Sequence, residues 1–496
     1  METQYREPWR GRSGAVFPPF SSGAGSFCPA HLRVSRIARL AACHNTFTVD
    51  VNNGDASGDP TCRPRCTRVQ RMVVPLQTPI ERDHMTLLSR LRALSAALAL
   101  SFAATHAVAA DLVIAGRDDI YGKGLADAVA GFNKLHPGTE IELLKLPNAN
   151  LYQKLKLSMR EGTGAYDLVM MDDTWAPEFI GNGWLKPLPA SLADADLVPS
   201  TVALGRNAAG ALYALPIVGN VEMFAYRKDL LAKYKLQPPR NWDDVLKIAQ
   251  TVGGADKSVS GVVFRGTKGN PVVTGFLPIL WAYGGDVFDH AGNVTIDSRE
   301  AQAALKTFLA LKASAPKDVD VYGAAEVRDA LQRGTAAQSI EVWPAWVPAL
   351  DDPKQSRVVG QIALQPPPGQ TAGPAPMLGI WQMGIPKDAP HAKLAQDFLA
   401  YLTARDTQTR LAGIGIPPTR RSVFNDPALV RQYRWYPDQL KALEAGRARP
   451  RVKDWQQVES ILGDQLQLAL TGQAAPDAAL RQAQQKIAQA TAAAGK

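Results

Sequence analysis

The sequence predicts an α/β protein of two lobes, each a mostly parallel sheet flanked by helices. Three observations carry this expectation. Strand and helix patterns alternate from Leu112 onward. About 386 residues follow a secretory signal, more than one hydrophobic core usually serves. A stiff segment, Pro366-Pro367-Pro368-Gly369 with Thr371–Pro376, interrupts the later chain in the manner of a crossing between lobes.

The signal begins at an internal methionine, Met85. Arg90 and Arg92 give a basic start, and Ala93 to Ala104 form an uncharged apolar run. That run is about a dozen residues, short of the ~20 that anchor a chain across a bilayer. Ala107-Val108-Ala109 has the small-x-small form of a cleavage site, so 85–109 is expected to be removed on export to the periplasm. Residues 1–84 contain eleven Arg, no Lys and all four cysteines (Cys28, Cys43, Cys62, Cys66), with no sustained helical or strand period. They read as a non-native or disordered leader. Cys62-x-x-x-Cys66 lacks the second ligand pair a zinc site needs. A protein starting at Ala110 is therefore expected to give a cooperative melting transition; failure to fold would show that the early segment packs on the domain.

Of the overall charge of +9, leader and signal hold +4 and +2, leaving about +3 from 42 basic and 39 acidic residues. With that balance and no basic run, no nucleic-acid partner is expected. Without cysteine, the mature chain has no disulfide, thiolate nucleophile or Cys-bound metal.

The elements follow in order. Leu112–Ala115 reads as a buried strand, and Leu125, Ala128, Val129 and Phe132 give Gly124–Leu135 a helical period. Ile141–Leu146 is a second strand, Leu151–Met159 a helix and Asp167–Met171 a third strand. The β-α-β-α-β order predicts a parallel sheet whose ligand sits beyond the strands' carboxyl ends, here Arg117-Asp118-Asp119 and Asp172-Asp173-Thr174-Trp175. Later, Asn241-x-x-Asp244 and Asp297-x-x-Glu300 read as helix N-caps, each with an acid in the first turn.

Nine short segments run in the order of one known family. They are Phe132–Gly138; Tyr166–Val169 with Asp172 and Trp175; Gly183–Leu188; Tyr213–Pro216 through Tyr226–Leu231; Asn241–Leu246; Tyr283–Asp286; Met377–Trp381; Ile416–Arg420; and Arg449-Pro450 before Trp455. On these the chain resembles the family 1 extracellular solute-binding proteins, the carbohydrate-capturing receptors of bacterial ABC importers that include the maltose-binding proteins. The resemblance covers nearly all of Asp111–Gly495. It implies a two-lobed periplasmic-binding-protein fold of type II whose lobes are joined by a hinge. The first lobe is then 111–217 with a return near 361–405, and the second 218–360 with about 406–496. The hinge falls near Pro216 and at 366–376. The implied partners are a small-molecule solute, in the first place a carbohydrate, and the permease subunits of the inner membrane. The implied receptor is a monomer that needs no metal, nucleotide or other cofactor.

Sugars present apolar C–H faces ringed by hydroxyls, so their sites combine aromatic platforms with polar groups at the edges. Trp175 follows Asp172 and Asp173 at a strand end, and Trp343 and Trp346 flank Pro344-Ala345. The resemblance places Trp281, Trp381 and Trp455 in segments turned towards the cleft. It favours Trp175, Trp343, Trp381 and Asn220, followed by Glu222 and Arg420. Core packing is the competing role for each tryptophan. Asp118 and Asp119 are hydroxyl acceptors or helix caps. An enzyme is the rival class, but adjacent carboxylates on a strand point to opposite faces and do not by themselves flank a scissile bond. No HExxH, GxSxG or phosphate-loop pattern is present. A ferric-ion receptor would need clustered tyrosine or carboxylate oxygens, and no adjacent tyrosine pair occurs. Polyol, sugar-phosphate and polyamine receptors share the expected fold.

Overall fold

The computed structural model describes residues 110–494; the leader 1–84 and the signal 85–109 lie outside the described residues. Its strands are β1 (Leu112–Arg117), β2 (Ile141–Leu146), β3 (Leu168–Asp172), β4 (Ala214–Val218), β5 (Met223–Arg227), β6 (Gln338–Val342), β7 (Ile362–Gln365) and β8 (Trp381–Gly384). They form two sheets, β2-β1-β3-β8-β4 and β6-β5-β7. In the first, β1 is parallel to β2 and β3, while β8 is antiparallel to β3 and β4. In the second, β5 is antiparallel to both neighbours, and Val263 bridges Ser339 of β6 in parallel. Each sheet thus has one strand running against the others, and it is the strand entered after a crossing between lobes.

The apolar periods read from the sequence become the walls of two cores. Ile114, Phe132, Met170, Leu215 and Met383 are buried in the first lobe; Trp242, Phe276, Phe308, Trp455 and Leu462 are buried in the second. The first two helices, Asp119–Leu135 and Asn148–Glu161, begin earlier than their apolar periods. Asp119 and Tyr121 in the first turn of one and Asn148 at the start of the other line the cleft. Gly162, at φ 63°, ends the second of them in the left-handed conformation that favours glycine. Asn241 caps Trp242–Ala255 through the Asp244 N–H at 2.8 Å. The other expected cap is one residue off: Ser298 accepts from Ala301 N–H, while Asp297 accepts from the Gln302 amide.

The crossings differ from the expected positions. Pro216 lies within β4 opposite Gln382, and the chain crosses at 219–222 instead. The Pro-rich segment folds onto the second lobe: Ala372 N–H donates to Ala282 O, and Thr371 Oγ1 donates to Tyr283 O. The return crossing is 376–380, where Leu378 bridges Val221 and Met377 bridges Arg447. Because β7 pairs with β5, the first lobe resumes later than residue 361. It also extends past 405, since Leu411 and Ile416 pack in its core.

Candidate functional site

The carboxyl ends of β1, β3 and β6 face a cleft of about 310 Å³ between the lobes. Arg117, Asp119, Tyr121, Asp172 and Trp381 line one wall, and Arg265, Asn270, Thr274, Trp343 and Trp346 the other. Asn220 and Gly379, from the crossing segments, lie between them. Antiparallel pairing brings Trp381 beside Asp172, which is why a residue distant in sequence shares the β3 carboxyl edge. Asn270 and Thr274 are one helical turn apart at the start of Asn270–Ala282, so they share a face. Gly379 is required by close approach: a β-carbon there would collide with the Trp343 ring.

Aromatic rings stand on both walls. Trp381 is tilted against Tyr121 at 6.0 Å between centroids, and the Arg117 guanidinium lies 4.9 Å from its ring. Opposite, the Arg265 guanidinium is 5.8 Å from both the Trp343 and Trp346 rings, near enough for cation–π attraction. Asn220 is buried; its Nδ2 donates to Tyr121 Oη at 2.8 Å, while its Oδ1 has no protein partner. Burial pushes the Tyr121 hydroxyl up to about 12, so it stays a neutral donor and acceptor.

The wall arginines are held by carboxylates. Arg117 pairs with Asp119 at 2.8 Å, and Arg265 with buried Glu341 at 2.6 Å. Arg449, itself 4% exposed, donates to Asp172 at 2.6 Å and to Asp173. β3 ends at Asp172, so strand alternation no longer applies to Asp173, and the two adjacent carboxylates converge on one guanidinium. Burial chiefly pushes the Asp173 carboxyl up; Arg449 opposes and Asp172 adds to the rise. Asp119, at φ 58°, occupies backbone space that non-glycine residues seldom enter, and its Oδ1 accepts from Tyr121 N–H at 3.0 Å. Its carboxyl is also raised, by burial first and against Arg117.

The candidates read from the sequence divide accordingly. Asp172, Asn220, Trp343 and Trp381 line the cleft, with Asp119 and Trp346 beside them. Asp118 sits at a helix N-cap position off the wall, and Asp173 is buried behind it on Arg449. Trp175 lies behind Trp381, in edge contact at 5.7 Å, within the first core. Trp281 and Trp455 belong to the second core, their indole N–H groups donating to Asp286 and Glu459. Arg420 is buried on Asp194, Asp196 and Thr403 O, away from the cleft. Glu222 is fully buried behind the wall.

Arg117, Tyr121, Arg265, Arg328 and Arg449 were not singled out as site residues by sequence. Arg117 and Tyr121 flank the strand-end aspartates that were, and Arg449 carried only a family marker. Arg265 and Arg328 carry no local signal.

A family model described as bacterial extracellular solute-binding protein matches residues 118–409. A mannitol-binding protein of Pseudomonas aeruginosa is 27% identical over 391 residues, covering 72% of this chain and 87% of the relative. The ribitol complex of an ABC transporter solute-binding protein from Agrobacterium radiobacter superposes with a TM-score of 0.71 at 26% identity, covering 76% of this chain and 98% of that one. Maltose-bound T. maritima MalE3 superposes with a TM-score of 0.70 at 27% identity, over 76% and 98% of the two chains. The chain belongs to the bacterial extracellular solute-binding proteins, periplasmic receptors of ABC importers.

Proposed function

We propose that this receptor captures a neutral sugar between its aromatic walls and hands it, as a monomer, to a membrane permease. The observation that carries this reading is the pairing of Trp381 and Tyr121 on one wall with Trp343 and Trp346 on the other, around the unpartnered Asn220 Oδ1. Rings cover the C–H faces of a sugar; the amide and carboxylate oxygens accept from its hydroxyls. Asp172 commits Oδ1 to Arg449 and Thr174, leaving Oδ2 for such a hydroxyl.

The charge pattern favours a neutral ligand. Arg117, Arg265 and Arg449 are each matched by a protein carboxylate, so a phosphate would have to displace one. Arg328, half-exposed on the wall, is the exception among the described residues. A polyamine would meet four wall guanidiniums and only two wall carboxylates, Asp119 and Asp172, both already paired. A linear polyol is the second reading, favoured by the mannitol-binding relative.

Maltose, D-mannitol and ribitol, with putrescine as control, make the test. A bound solute stabilises the native state by about 2.7 kcal/mol at a hundredfold excess over Kd. A thermal shift with one of the first three, a smaller radius of gyration and recovery of unchanged solute are expected. A shift with putrescine alone would remove the carbohydrate reading, and binding without compaction would remove closure of the lobes.

A further inference from the structure

Behind the cleft wall lies a set of buried polar groups that match one another and are not joined. Both carboxyl oxygens of Glu222 are buried without a hydrogen-bond partner, and so are the Nε–H groups of Arg265 and Arg449. Two buried acceptors and two buried donors are therefore left unused. The Glu222 carboxyl lies within electrostatic range of both guanidiniums. Buried polar groups are nearly always paired in native proteins, because an unpaired one forfeits its hydration without return.

The groups also have a mechanical relation. Glu222 is on the outward crossing, its backbone N–H tied to Met377 O of the return crossing at 2.8 Å. Arg265 belongs to the second lobe, held by Glu341 of β6 and by Thr274. Arg449, two residues beyond the segment that bridges Met377, is fastened to the first lobe through Asp172 and Asp173. Thus, of the two guanidiniums within electrostatic range of Glu222, one is anchored in each lobe. Both guanidiniums reach the cleft wall, whereas Glu222 does not.

We infer that Glu222 is a positioning residue of the receptor: it is the acceptor Arg265 and Arg449 lack, and solute capture brings its carboxylate onto their two Nε–H groups. It does not line the cleft and acts through the two arginines that do. This deepens the proposed function and rests on it for the identity of the cleft.

The chemistry predicts a proton coupled to capture. In the present arrangement Glu222 is driven towards its neutral form, first by burial and next by the nearby Glu341 carboxylate; Arg265 and Arg449 oppose this. Arg449 in turn faces the carboxyls of Asp172, Asp173 and Glu459. Two charge-assisted hydrogen bonds favour the ionised carboxylate, so forming them releases the proton. Affinity should then rise with pH between the acid's bound-state and free-state titrations, by at most about tenfold per pH unit, and level off above the second.

Two measurements test this. Without ligand, Glu222 has a folded-state titration above its unfolded one. Its neutral form therefore supports stability at acid pH, and that support is lost as pH rises through the folded titration. Wild type should lose stability relative to Glu222→Gln as pH rises above the ordinary glutamate range. Parallel melting profiles would overturn the proposal whatever the solute.

With whichever of maltose, D-mannitol and ribitol stabilises wild type, calorimetry in buffers of different ionisation enthalpy counts protons without any variant. Release approaching one proton is expected, and no release would overturn the inference. Glu222→Gln should bind about tenfold more weakly at pH 8 and lose the pH slope, since its amide offers one acceptor where two are needed. Glu222→Asp should restore the slope at lower affinity. Asp173 is the competing titrating group; a slope that survives in Glu222→Gln would assign the proton to it and not to Glu222. If none of the three solutes binds, the carbohydrate reading falls, while the ligand-free profiles still decide for or against Glu222.

Discussion

Replacing Arg449 with methionine should lower folding stability by roughly 3–5 kcal/mol and abolish solute binding, the largest effect expected at the cleft. The guanidinium is the shared partner of Asp172 and Asp173, and Asp173 is 1% exposed. Methionine fills similar space but leaves two carboxylates facing each other with little water. The cost depends on pH in a definite direction. Burial and Asp172 already raise the Asp173 carboxyl to about 7 with Arg449 in place, and losing the cation raises it further. A group with a raised folded-state titration supports stability at acid pH and loses that support as pH rises through it. The deficit of Arg449→Met should therefore be smallest near pH 5 and grow towards pH 8. Denaturant unfolding of both proteins at the two pH values checks this. Equal deficits would mean that Asp173 holds the same protonation state at both pH values and that its titration is not what Arg449 offsets.

The fold was legible because it depends on patterns local to each element. The period-2 and period-3.6 runs from Leu112 to Met171 recovered three strands and two helices, and Asn241 marked a helix start through the cap it makes. Asp297 misled by one residue because Ser298 offers the same capping chemistry next door. The site was less legible because it is assembled by strand pairing and crossings. Asp172 meets Trp381 only through the antiparallel register of β3 and β8, and Arg449 reaches Asp172 from 277 positions further along the chain. The rule that adjacent strand residues diverge is sound, but it stopped applying one residue before it was used, at the end of β3. For tryptophans, sequence could not separate platform from support. Trp175 and Trp381 touch at 5.7 Å, yet only Trp381 borders the cleft.

That distinction gives the second large effect. Trp175→Ala should reduce ligand-free stability by roughly 3–5 kcal/mol, because a large ring leaves a cavity in a packed cluster. Trp175 is 3% exposed and lies 5.1 Å from Tyr152 and 6.3 Å from Phe179 between ring centroids. Any loss of affinity should be indirect, through a Trp381 ring that has lost its edge support. Trp343→Ala should behave oppositely. Its ring is half-buried on the cleft wall, against the backbone of Gly379, so melting of the empty protein should change little. Solute binding should weaken by about 1–3 kcal/mol through lost stacking and apolar contact. Melting and calorimetry on both variants separate the two roles. Unchanged melting with a large affinity loss in Trp175→Ala would place that ring on the solute. The reverse in Trp343→Ala would move it into the core and leave Trp346 as the second lobe's platform.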